Sequence, residues 1–226
     1  MTTKLNFEIE RVNELMGKKV LDHDETLELY DILKELEAGE NEDEILKISN
    51  KINFNILNSE ERNVKSFTFS SGRLYVSDPS YDFEEPGNDD KIKASFLLGN
   101  IGHQAKNGNW KGFYKTWLAD PRPNIMVVHH EDYDFIILFE SDEVQIIHNA
   151  GSFGIDSGTF VACDEKAFKD TVQSKEWQDQ WMKMDRHFGF ESGYCCSTGW
   201  GDGFYEYDLF KDQDGNVVGL MAWFIY

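Results

Sequence analysis

The chain has 226 residues and a formal net charge of -20, with 40% hydrophobic and 14% aromatic residues. That much apolar and aromatic material fills a core and excludes an intrinsically disordered chain. The acidic balance, with no run of Lys and Arg, excludes the basic patch that binding to duplex nucleic acid needs. It favours solubility and attraction to basic surfaces.

The N-terminal Met-Thr-Thr-Lys-Leu-Asn-Phe-Glu lacks the apolar run of a signal peptide. No stretch reaches the roughly 18 apolar residues of a spanning helix. A cytoplasmic location, in a bacterium or an infected cell, is therefore expected. Ile9, Val12 and Met16 lie at helical spacing, with Gly17 as a stop. Leu29, Ile32, Leu33 and Leu36 form a second stripe that ends at Gly39. Asn41 with Glu44 starts a third helix, whose apolar face is Ile45, Ile48 and Ile52. The acids between them, such as Glu25, Glu28, Asp31, Glu35, Glu42 and Asp43, face solvent. Residues 1–60 thus read as an acidic helical subdomain, too small to bury much by itself.

Near residue 65 the period changes to two. Phe67 and Phe69 alternate with Ser66, Thr68 and Ser70 as a strand; Ser71-Gly72 turns the chain, and Leu74-Tyr75-Val76 returns. Tyr81 to Asp90, with Pro86 and Gly87, reads as an exposed acidic loop. Further strands are expected over 112–117, 124–129, 134–139 and 144–148. Phe135-Ile136-Ile137-Leu138-Phe139 is apolar on both faces, as in a central strand, and Glu140-Ser141-Asp142-Glu143 follows as its turn. Thr159 to Ala162 is a strand. Asp164 caps a helix whose broad apolar face is Phe168, Val172, Trp177, Trp181 and Met184. The chain closes with a hairpin, Gly203–Phe210 and Val217–Ile225, around Asp212-Gln213-Asp214-Gly215. The fold class is α+β: a short N-terminal helical segment, then residues 65–226 as an antiparallel-rich β domain with one long helix. Trp110, Trp117, Trp200 and Trp223 sit on or beside strands and are expected to be buried with their N–H groups bonded.

The cysteines, Cys163, Cys195 and Cys196, include no C-x-x-C pair and read as reduced, partly buried thiols. Asp212-Gln213-Asp214-Gly215 lacks the later acids and closing Glu of a calcium loop and reads as a turn. His129-His130 reads as a strand end, with at most one ring facing inward. Gly199, Gly201 and Gly203 precede a hairpin rather than a helix, so no dinucleotide cofactor is expected. Three short motifs remain: Ser77-Asp78-Pro79, Asp156-Ser157-Gly158 and Gly201-Asp202-Gly203. Two readings stand open. Each Asp caps its own turn by binding backbone N–H groups, or the three carboxylates converge, with His130, as a catalytic set or a hold for a hard divalent cation.

Val76-Ser77-Asp78-Pro79-Ser80-Tyr81 resembles the "V-S-D-P-C-Y" segment of an uncharacterised bacterial and phage family, grouped as DUF4241. Gly108-Asn109-Trp110-Lys111-Gly112, the strand ending at His130, and Ile155-Asp156-Ser157-Gly158 are similar to further landmarks of that family, in the same order. Ser197 to Tyr205 resembles its "S-G-x-G-D-G-x-Y". The resemblance spans 65–226 and departs at Ser80, where the family commonly has Cys; it transfers no activity. The residues to watch are Asp78, His130, Asp156, Asp202 and Tyr205, with Asp78, Asp156 and Asp202 as the metal candidates. The functional expectation is a non-catalytic acidic interaction protein, of the kind a phage directs at a host or defence protein, whose partner presents a basic surface. It binds neither nucleic acid nor membrane. The alternative is a hydrolase or small-ligand binder with an Asp/His pocket at the strand ends.

Overall fold

The computed structural model describes residues 11–18, 21–22, 24–25, 28–29, 31–32, 51, 57, 59–82, 101–116, 122–183, 187–199 and 201–224. The helix start at Asn41, the stripe Ile45–Ile52, the acidic residues 83–90, Trp117 and Trp200 lie outside them. The chain divides into two compact units: Met1–Glu60 with Lys115–Pro121, and Glu61–Tyr114 with Arg122–Tyr226.

In the first unit residues 11–17 are helical. Val12 and Leu15 are its buried positions, while Met16 is only half-buried. The next helical turn opens with a reciprocal cap. The Asp22 carboxylate accepts from Glu25 N (2.9 Å), and Asp22 N donates to the Glu25 carboxylate (3.1 Å). Arg11 forks onto Glu28 at 2.9–3.1 Å and reaches Glu14 at 2.8 Å. The buried ammonium of Lys115 donates to the carbonyls of Leu57 (2.7 Å) and Ser59 (2.8 Å), so its charge is met by two backbone carbonyl dipoles.

The second unit is a two-sheet α+β structure whose strands pair mostly antiparallel. The first sheet has the order β1-β4-β5-β11-β10-β6. Its strands are β1 (Arg62–Phe69), β4 (Gly108–Thr116), β5 (Pro123–His130), β6 (Gln145–Ile155), β10 (Gly203–Lys211) and β11 (Val217–Trp223). The second has the order β3-β2-β7-β9-β8, from β2 (Arg73–Ser77), β3 (Ile101–Gln104), β7 (Thr159–Asp164), β8 (His187–Phe190) and β9 (Gly193–Ser197). Inward residues of both sheets make one core. Phe69, Trp110, Met126, Phe153 and Leu220 come from the first sheet, and Leu74, Phe160, Ala162 and Tyr194 from the second. Their period of two is the alternation seen in the sequence.

Three expectations change. The chain does not return from β1 to β2 as a hairpin, because β1 pairs with β4 and β2 with β3 and β7. Ser70–Gly72 is instead a corner between sheets. It is held by the Asp164 carboxylate, which accepts from the N–H groups of Ser70 and Ser71, both at 2.7 Å. The run from Phe135 is not a central strand but a helix, α1 (Phe135–Glu140). Phe135 packs on Phe113 and Phe139 on Phe210 (centroids 5.4 and 5.0 Å), a helical i, i+4 pairing. Among the described residues the one long helix is not found. Asp164 caps a short α2 (Glu165–Ala167), a π turn covers Phe168–Val172, and Ser174 caps α3 (Lys175–Trp181). The five-residue step from Val172 to Trp177 exceeds the helical period, so a break there keeps both side chains on the sheet. Phe168, Val172, Trp177 and Trp181 cover the outer face of the second sheet over Tyr75, Val161, Cys163 and Cys195.

Candidate functional site

β2 ends at Ser77, and the buried Asp78 follows it. One carboxylate oxygen of Asp78 accepts from Ser80 N (2.7 Å) and Ser80 Oγ (2.6 Å). The other accepts from the backbone N–H groups of Asp156 (2.8 Å) and Ser157 (2.7 Å). A carboxylate offers about four lone-pair sites, and donors fill all four. Asp78 therefore caps its own turn and also staples it to the β6–β7 turn, where Gly158 takes a left-handed φ of 66°. Pro79 O and Tyr81 O accept from the side-chain amides of Gln178 (2.7 Å) and Gln173 (2.8 Å), which fix the loop from the helical side.

The third turn, after β9, joins through Thr198. Its N–H donates to Gly158 O (3.0 Å), and its hydroxyl donates to Gly201 O (2.9 Å) and accepts from Gly201 N (3.1 Å). The Tyr205 hydroxyl also donates to Gly201 O (2.8 Å), so Tyr205 holds the turn that carries Asp202. Its phenol is pushed up by burial. The three Asp-bearing turns are joined by these bonds, and Tyr81 closes the first of them, its N–H donating to Asp78 O at 3.1 Å. The carboxylates of Asp156, Asp78 and Asp202 all disfavour ionisation of the Tyr81 hydroxyl. Burial first, then Asp156, pushes that hydroxyl above its ordinary range. Asp156 and Asp202 are themselves exposed. Among the described residues no group of three or more His, Cys, Asp or Glu is placed to hold a metal ion.

His130 does not join this cluster. Its neighbour His129 pairs through Gly219 with Phe210, while Asp156 and Asp202 flank the pairing of Ile155 with Gly203. Gly203 to Phe210 spans roughly 23 Å at about 3.3 Å per residue. The two histidines do end β5, but the expectation that at most one ring faces inward fails, since both are buried, at 4% and 5% exposure. β5 is covered on both faces, so each ring finds an aromatic neighbour: Phe113 for His129 and Trp110 for His130. The His130 Nδ1 lies 3.2 Å from Asp132 N and 3.5 Å from the Asp132 carboxylate, and its Nε2 lies 3.1 Å from Asn107 O. Burial pulls the His129 ring down from its ordinary pKa.

The remaining sequence candidates are structural. All three cysteines are free and buried, and burial pushes each thiol well up, opposite to a reactive thiolate. Asp212 folds back on its own turn, accepting from Asp214 N (3.1 Å) and Asn216 N (2.8 Å). That turn borders an open polar groove of about 300 Å³ beside Lys106 and Tyr133. Trp110 is fully buried with its N–H donated to Lys106 O at 3.0 Å, and the half-buried Trp223 donates to Asp208 at 3.1 Å. Sequence reasoning missed Tyr81, Gln173 and Gln178. The only available signal was Tyr81's place in the same short motif as Asp78.

Comparison with protein-family models, curated proteins and solved structures returned no match. No helix among the described residues is long and apolar enough to cross a membrane.

Proposed function

We propose that this protein is a non-catalytic acidic interaction protein that binds a partner presenting a basic surface, in the manner of a phage-encoded inhibitor of a host or defence protein. The observation that carries this reading is the saturation of Asp78, the most buried acid of the candidate pocket, by four donors from its own and a neighbouring turn. An acid spent on holding turns together is a scaffold element, and the charge left to act is the exposed acidity of a chain with a net -20. The likeness of the turn motifs to the uncharacterised bacterial and phage family belongs to the same proposal. A basic partner, rather than nucleic acid or an anionic membrane, is what such a surface attracts.

Capture from a native-host lysate tests this. The wild-type protein retains a basic protein at about 50 mM salt and releases it by about 300 mM, because screening shortens over that range. A variant carrying Asp24→Lys and Asp31→Lys does not retain it. Both acids are exposed, whereas Glu28 is engaged by Arg11 and unsuited to the test. Equal capture by the variant contradicts the reading.

One observation favours a second reading, a small-ligand pocket or hydrolase: backbone bonds join the turns that carry Asp78, Asp156 and Asp202. That reading requires Mg²⁺ or Ca²⁺ to raise the melting temperature by binding the folded state, and Asp202→Asn to abolish the rise. No shift with either ion removes the divalent-cation form of this reading.

A further inference from the structure

The chain passes from β3 to β4 through Ala105, Lys106 and Asn107, and this connection is held at both ends. Before it turns, Ala105 N donates to Gly72 O (2.9 Å) and Lys106 N to Val217 O (3.0 Å). After it, Glu131 N donates to Asn109 O (2.9 Å), and the Trp110 N–H reaches back to Lys106 O (3.0 Å). Between these bonds the buried His130 ring sets its Nε2 3.1 Å from Asn107 O. A carbonyl oxygen only accepts, so Nε2 carries a proton whatever the state of Nδ1. The ring can come this close because the next residue is Gly108. A Cβ there would stand 2.5 Å from Nε2, and its φ of 133° is one that side-chain-bearing residues rarely adopt. The Asn107 side chain is exposed and has no hydrogen-bond partner among the described residues. Of the asparagines in the chain, Asn107 alone precedes a glycine.

We propose that Asn107 is a self-modification site: it deamidates in the folded protein, and the His130 N–H promotes the reaction. The nucleophile is the backbone nitrogen of Gly108, which no side chain hinders. It attacks the Asn107 Cγ. The new N–Cγ bond forms, the Cγ–Nδ2 bond breaks, and Nδ2 leaves as ammonia with the proton that Gly108 N gave up. The five-membered succinimide then takes up one water. Opening at Cγ gives aspartate; opening at the main-chain carbonyl carbon gives isoaspartate. The first step is slow because a peptide nitrogen must lose its proton. The charge left behind is shared with the oxygen of the same peptide, which is Asn107 O. His130 Nε2 faces that oxygen, and a donor already in place where negative charge develops lowers the barrier. Aspartate adds a carboxylate to the exposed connection. Isoaspartate adds a carbon to the main chain between the bonds at Lys106 O and Asn109 O, which loosens the entry to β4.

Peptide mapping by mass spectrometry tests this on the full chain stored at neutral pH. The loss of the Asn107 amide is followed in the folded protein and in the same chain unfolded in guanidinium chloride at matched pH and temperature. The unfolded chain keeps the Asn-Gly pair and loses the His130 contact. The folded protein should convert Asn107 at least about tenfold faster than the unfolded chain. His130→Phe keeps a ring against Trp110 but has no donor, and its folded form should convert at about the unfolded rate. A folded wild-type rate equal to or below the unfolded rate overturns the proposal. So does a folded His130→Phe variant that converts as fast as wild type. If that variant does not fold, the folded and unfolded wild-type rates decide alone.

Discussion

Asp78 shows how one side chain can serve as a structural centre. Each of its four acceptor positions is matched to a donor at 2.6–2.8 Å, short distances typical of charge-assisted bonds. Asp78→Asn turns one acceptor into a donor that faces other donors. It should destabilise the protein by about 2–4 kcal/mol in urea denaturation. Asp202→Asn, at an exposed position, should change stability by less than about 0.5 kcal/mol. Equal effects would mean that Asp78 does not act as the staple. Packing has a comparable point at Gly112, where a Cβ would meet the Tyr194 ring at 2.6 Å. Gly112→Ala should cost roughly 1–3 kcal/mol as overpacking, and an unchanged melting temperature would show that the ring moves freely.

At the scale of elements, strands with clean alternation were readable. Phe67 and Phe69 face the core as their spacing implied, and Thr159 to Ala162 lies within β7. The run Phe135–Phe139 was not readable, because an apolar stretch of that length suits a buried strand or a buried helix equally. Its state is set by Phe113 and Phe210, rings remote in sequence. The sheet-crossing corner at Ser70–Gly72 was hidden for a similar reason, since its acceptor, Asp164, lies more than ninety residues away. The meeting of the Asp-bearing turns was left open by the sequence, whose spacing carries no tertiary register. His130 was grouped with them only because strand ends look alike in sequence. Asp164 also caps α2 through Lys166 N at 3.0 Å, so it links three elements. Asp164→Ala should remove about 2–4 kcal/mol and speed amide exchange in β1 and β2 together; a loss confined to α2 would show that the corner holds by itself.

For the molecule as a whole, pH and salt separate fold from surface. His103 and His129 are both held below their ordinary pKa by burial. Groups depressed in this way stabilise the fold fully above about 6.5 and progressively less below it. The urea midpoint should therefore fall on acidification from pH 7 to pH 5, and His103→Gln should flatten part of that slope. The exposed acids obey the opposite logic, since they cost the fold self-repulsion and serve association. The most direct measurement is the association rate with the captured basic partner as a function of ionic strength. The rate should fall at least about tenfold between 50 and 300 mM salt, and Asp24→Lys with Asp31→Lys should slow it further while leaving the urea midpoint unchanged. An association rate insensitive to salt and to both reversals would contradict an acidic interaction surface and leave the charge with solubility alone.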